Sequence, residues 1–233
     1  MKNRAAFILG GAIIVASVIF GGFYYQSKQE KQTVRVVGYA VDEFESDLVK
    51  WSISLSARSG LNNLQSGYED IAAQLEKFRA IWSSTGLSSD ELKIDPVNVN
   101  DLYGNGGQIG YSLNQRITIV SKSIDEIEKL AINPHLFVSQ GVTFSSSQIE
   151  FFSSALDDIK IDLLSEATKN ARLRAEKIVA LTDTKIDKLI SAKAGVFQIT
   201  EPLSTEVAGY GVYNTSSRKK NIKVTVTVDF SAK

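Results

Sequence analysis

The chain has 233 residues, with 26 basic and 26 acidic side chains, and it contains no cysteine. That length suits one domain plus an appendage, and the lack of cysteine removes disulfides, thiolate nucleophiles and Cys-ligated metal sites together. Before Lys28 only Lys2 and Arg4 are charged, which leaves 24 basic and 26 acidic residues, a net of −2 that argues against a general phosphate-backbone binder.

Ala5 to Tyr25 carries no charge, and as a helix it would reach roughly 30 Å, about the thickness of bilayer hydrocarbon. Tyr24 and Tyr25 then fall where interfacial aromatics are favoured. A cleavable signal peptide has a shorter apolar stretch ending at a small-residue site, whereas Val15-Ala16-Ser17 lies inside this run. The expected organisation is a cytoplasmic N-terminus at 1–4, a transmembrane signal-anchor helix at 5–25, a linker at 26–32 and a folded domain at 33–233. Lys28, Lys31 and Arg35 follow the span, so flanking charge does not decide orientation; the short N-terminal flank and long C-terminal part favour N-in. Ala6, Gly10, Ser17 and Gly21 share one helical stripe, a pattern that lets two membrane helices approach closely and that glycine's frequency in such helices also explains.

After the linker, valine-rich Thr33 to Ala40 predicts a strand, and Leu48 to Arg58 alternates Val49, Trp51, Ile53 and Leu55 against Ser52, Ser54 and Ser56, a half-buried strand. Leu64, Tyr68, Ile71, Leu75, Phe78 and Trp82 recur at helical steps, and Gly86 offers a stop. Strands at Leu92 to Asp101 and Gly110 to Lys122 are joined by Tyr103-Gly104-Asn105-Gly106-Gly107, a loop suited to positive φ. Ser123 with Glu126 forms a capping-box pattern opening a short helix that Asn133-Pro134 closes. A strand at Gln148 to Phe152 follows.

Ser154 and Asp157 repeat the start signal for a helix running to Leu181, with Ala167, Ala171 and Ala175 as a narrow strip for close packing. Strands are predicted at Lys188 to Ile199 and Lys220 to Ser231, the latter alternating Ile222, Val224, Val226, Val228 and Phe230 against polar neighbours. Residues 201–217 read as the least structured stretch. The fold class is therefore α+β: an antiparallel sheet packed by two long helices and one short helix, preceded by the transmembrane helix.

Few residues promise chemistry. His135 is the sole histidine, which excludes multi-histidine metal sites, and it reads as a loop residue after Pro134. The glycines at 104, 106, 107 and 110 miss the dinucleotide-binding pattern by one position and lack the Lys-Ser/Thr of a P-loop. Asp157-Asp158 and Asp90-Glu91 are paired carboxylates, but both fall at helix or turn starts, where acids offset the positive end of the dipole. Arg218-Lys219-Lys220 with Lys223 is the densest basic cluster; it suits anionic headgroups or cell-wall polymers, and equally a solvated strand edge that resists pairing. No catalytic, cofactor-binding or metal-binding residue is assigned.

The ordered blocks resemble the SIMPL-domain family of bacterial exported proteins over Thr33 to Phe230. Val36-Val37-Gly38-Tyr39-Ala40 leading to Asp47-Leu48-Val49-Lys50-Trp51 is similar to the family's opening strands. The run from Ala155-Leu156-Asp157-Asp158 to Glu166-Ala167-Thr168-Lys169-Asn170-Ala171-Arg172-Leu173-Arg174-Ala175-Glu176 resembles its most characteristic helix. Gly195-Val196-Phe197-Gln198-Ile199 and Val224-Thr225-Val226-Thr227-Val228-Asp229-Phe230 complete the set. One departure is the helix end, Leu181-Thr182-Asp183-Thr184, where the family usually has a Leu-Gly or Ser-Gly turn. The resemblance implies an extracytoplasmic, often anchored domain that self-associates and is linked to envelope or oxidative stress, without a catalytic role. The expectation is a non-enzymatic structural or interaction module in the bacterial inner membrane, single-pass, its C-terminal domain in the periplasm or equivalent space. Its partners would be the membrane, copies of itself and an envelope protein, with no nucleic acid and no cofactor. The alternatives are a small-molecule-binding module and, behind it, a carboxylate-based hydrolase.

Overall fold

The computed structural model describes residues 2–27 and 32–233, with side chains from 10–25 and from 32 onward; residues 28–31 of the expected linker and the side chain of Ala6 lie outside the described residues. The helix α1 covers Lys2–Ser27. Strands β1 (Thr33–Glu45) and β2 (Leu48–Gly60) precede α2 (Leu64–Ser84). Then come β3 (Leu92–Ile94), β4 (Asn98–Gly104), β5 (Gly107–Ser121), α3 (Ile124–Ala131), the short α4 (His135–Val138) and β6 (Phe144–Phe152). The long α5 (Leu156–Val179), β7 (Ile186–Ala194), β8 (Gln198–Thr200), β9 (Val212–Tyr213) and β10 (Lys219–Ala232) complete the chain.

The α+β class holds, but the strands form two five-stranded sheets rather than one: β3-β5-β2-β6 with β4 on β5, and β1-β10-β8-β9 with β7 on β10. Two expected strands are each broken in two. The expected strand Leu92 to Asp101 breaks around Pro96, which has no N–H for a ladder. The expected strand Lys188 to Ile199 breaks between Ala194 and Gln198. A short strand, β9, also lies within the stretch read as unstructured, and it pairs parallel to β8.

Two compact units divide the chain, with the boundaries inside β1, α5 and β10: one takes Met1–Tyr39, Ala167–Gly195 and Val226–Lys233, the other Ala40–Glu166 and Val196–Thr225. In the larger unit β2 is central, antiparallel to β5 from Val49↔Ser121 to Gly60↔Gly110 and to β6 on its other side. The alternation seen in the sequence turns Val49, Trp51, Ile53 and Leu55 inward, all at 1% exposure or less. They meet Ile71, Phe78 and Trp82 of α2, Ile127 of α3 and Phe137 of α4 in one apolar core. Its centre is aromatic: Phe137 lies edge-on to Trp51 at 5.8 Å and stacks on Phe78 at 5.5 Å between centroids. Both indoles find acceptors, Trp51 Nε1 at Ser147 Oγ (2.9 Å) and Trp82 Nε1 at the Ser88 carbonyl (3.1 Å), as buried indole N–H groups must. The β4–β5 connection is tighter than the sequence suggested, pairing Gly104 with Gly107, the latter at φ 123°.

The smaller unit packs differently. Ala167, Ala171 and Ala175 of α5 are fully buried, and Gly38 of β1 lies against this strip so closely that an added Cβ would collide with the Ala167 carbonyl and sit 2.7 Å from Ala171 Cβ. Asn170 Oδ1 accepts from Tyr39 N (3.2 Å), while Arg174 donates to the Val37 carbonyl (2.9 Å) and lies 4.8 Å over the Tyr39 ring. The helix ends on Thr182, whose N–H and hydroxyl both donate to the Val179 carbonyl, so no glycine is needed. β7 pairs antiparallel with β10 through two register shifts and is exposed along most of its length, including Leu189 (54%) and Ile190 (50%). The capping boxes behave differently from expectation: Ser123 makes no side-chain cap bond, and the Ser154 hydroxyl donates to Asp47 instead. Among the described residues no helix is long and apolar enough to cross a membrane.

Candidate functional site

The side chains flagged in the sequence do not converge. His135 opens α4 rather than lying in a loop. Asp157 and Asp158 sit in the first turn of α5, Asp157 pointing to solvent with Lys160 3.5 Å away. Asp90 and Glu91 occupy a 3-10 turn capped by Ser88, and Glu91 Oε1 accepts from Ser121 Oγ at 2.9 Å. Among the described residues no group of three His, Asp or Glu side chains is placed to hold a metal ion.

The basic cluster is dispersed by strand alternation, which corrects its reading as one solvated patch. Lys220 shares the inward face of β10 with Ile222 and Val224 and is 1% exposed. Its ammonium donates to the carbonyls of Asn214 and Ser217, and burial pushes its pKa down to about 8. Arg218 is engaged by Glu45 at 2.7 Å and by Asp125. Only Lys219 and Lys223 remain exposed.

In the larger unit the segment 201–211 connects β8 and β9. Gln198 braces it with two bonds to Ala208, its amide donating to the carbonyl (2.8 Å) and accepting from the N–H (3.2 Å). At the other end Ser204 N donates to the Glu201 carbonyl (3.3 Å) and Glu206 N to Ser204 Oγ (3.2 Å). Leu203 is held at φ 65°, a left-handed conformation that a leucine rarely takes. The loop turns Leu203 (96% exposed), Val207 (72%) and Tyr210 (103%) to solvent.

Two concavities flank it. A polar one of about 320 Å³ lies among Thr200, Ser204, Glu206, Asn221 and Lys223, with Val41 and Val207 as its apolar wall. Thr200 is only 7% exposed, and its hydroxyl has no hydrogen-bond partner among the described residues; Asn221 Oδ1 is enclosed and equally without one. An aromatic groove of about 390 Å³ is lined by Leu156, Lys160, Phe197, Tyr210 and Tyr213. There the Lys160 ammonium stands 5.9 Å from the Phe197 ring, and burial raises the Tyr213 pKa. Sequence reading missed Thr200 and Asn221 because neither belongs to a motif; the parity of β10 could have placed Lys220.

These features define an α+β protein with two sheets, a packed aromatic core and surface concavities. The chain belongs to the SIMPL family, whose model, described as a protein of unknown function (DUF541), matches residues 34–230. No curated protein matches it.

Proposed function

We propose that this chain is a non-catalytic interaction module, held by its N-terminal helix in the bacterial inner membrane with residues 33–233 outside the cytoplasm, where it assembles with copies of itself and serves the envelope under stress. The observation that carries the reading is the exposed apolar surface of the smaller unit, where β7 leaves Leu189 and Ile190 half uncovered. The edge itself is poorly suited to strand addition, because β7 is bulged and carries Lys188 and Lys193. Association is therefore expected through side-chain packing. A second copy is the occupant we infer: chains tethered by α1 in one membrane plane meet at high effective concentration. The open stripe at Gly10 and Gly21, where an added Cβ would meet nothing within 4 Å, supplies a second self-complementary surface.

The anchor is supported by the uncharged run Ala5 to Tyr25. The test is fractionation of the full chain: resistance to carbonate extraction supports the anchor, and quantitative release sinks it. For assembly, the mass of the full chain in detergent micelles should fall on replacing Leu189 and Ile190 by lysine; an unchanged oligomer would remove β7 from the interface. A second reading, a small-molecule-binding module, is favoured by the unpaired polar groups of the 320 Å³ cavity.

A further inference from the structure

We propose that the cavity between the 201–207 loop, β8 and the start of β10 binds a small zwitterion, a molecule bearing one ammonium and one carboxylate. Four observations carry this. The first is polar capacity: the Thr200 hydroxyl makes no hydrogen bond to a described residue, and Asn221 Oδ1 is enclosed without a partner. Buried polar atoms in folded proteins are overwhelmingly hydrogen-bonded, so the enclosed Asn221 Oδ1 calls for a partner, and the Thr200 hydroxyl beside it leaves a further donor and acceptor for a bound molecule.

The second is charge. Glu206 and Lys223 both line the cavity, and neither forms an ion pair with a described residue. One unengaged carboxylate and one unengaged ammonium at the same opening complement a ligand of opposite polarity at each end, and disfavour a simple anion or cation, which one of the two would repel. The third is size and lining. About 320 Å³ suits a ligand of a few tens of atoms at most, and Val41 with Val207 offers apolar contact for short aliphatic groups. The free termini of a short peptide have this chemistry.

The fourth is preorganisation. The Gln198 clamp on Ala208, the Ser204 turn and the left-handed Leu203 fix the loop before any ligand arrives. A loop already shaped loses little conformational freedom on binding, and strained backbone residues such as Leu203, next to the lining residue Ser204, cluster at ligand clamps.

The test is calorimetric titration of the full chain in detergent micelles with the dipeptide alanyl-valine, alongside N-acetyl-alanyl-valine and alanyl-valine amide, each lacking one terminal charge. The expected result is binding of the free dipeptide with a Kd at or below about 1 mM, weakened about tenfold or more by either blocking group. Glu206→Gln and Lys223→Gln, both on exposed side chains, should each weaken it similarly while the melting temperature stays unchanged. No binding up to about 10 mM, equal binding of blocked and free peptides, or loss in only one of the two variants would overturn the proposal. The blocked peptides act on the unaltered chain, so the result does not depend on any variant folding. Self-association can succeed or fail independently, since it is read as mass and this as heat.

Discussion

The two compact units solve the same packing problem by opposite means. In the larger one, bulky rings fill the space between α2, α4 and β2, with Trp51, Phe78, Trp82 and Phe137 all at 1% exposure or less. In the smaller one, the absence of side chain does the packing: Gly38 meets the buried alanines of α5 backbone to backbone. The first arrangement is vulnerable to removal of atoms and the second to their addition. A single chain thus carries two distinct tolerances, and the smaller unit, having few large side chains to bury, is also where large apolar ones stand exposed on β7.

That contrast can be broken most sharply at Gly38. Gly38→Val should destabilise the protein by at least about 4 kcal/mol in denaturant unfolding, because the obstacle is backbone and cannot rotate away. A loss below about 1 kcal/mol would mean that β1 and α5 move apart freely. Next is Phe78→Ala, expected to lose about 3–4 kcal/mol from transfer and cavity terms together. If Phe78→Ala were mild while Gly38→Val was severe, the aromatic core would not be the mainstay of its unit.

The buried Lys220 sharpens the comparison through pH. Its folded pKa, about 8, lies below the ordinary 10.5, so between those values the unfolded chain holds a proton that the folded chain has released. Stability from this group therefore rises as pH increases from about 8 toward 10.5, and below 8 both states carry the charge. The difference in melting temperature between the protein and Lys220→Met should narrow or reverse across that window; a constant difference would mean that the ammonium is not desolvated. A smaller effect is expected at Asp47, whose pKa is held down first by the Ser154 hydroxyl and then by its N–H. This contribution is present above the ordinary carboxylate range and disappears as pH falls through the depressed value. Because Asp47 is exposed, Asp47→Asn should lose no more than about 1 kcal/mol.

Most elements were legible because their signals are local. The alternation of Trp51, Ile53 and Leu55, the helical steps to Phe78 and Trp82, and the alanine strip of α5 each appear where the residues predicted. What could not be read locally was which strands pair. The parallel contact of β8 with β9 involves a two-residue strand too short to show a pattern, while two sheets instead of one depend on partners far apart in sequence, such as β1 and β10. The candidate cavity was illegible for the same reason: Val41, Thr200 and Asn221 come from three separated segments, and only their meeting gives them meaning. Lys220 is the instructive exception, since its place in the even-numbered run of β10 already put it inside, while its charge argued for the surface.

The most direct test of the assembly account is the mass of the full chain in detergent micelles, measured by light scattering across a dilution series. A multi-subunit mass that persists on dilution is the predicted result; a monomer at every concentration would contradict it.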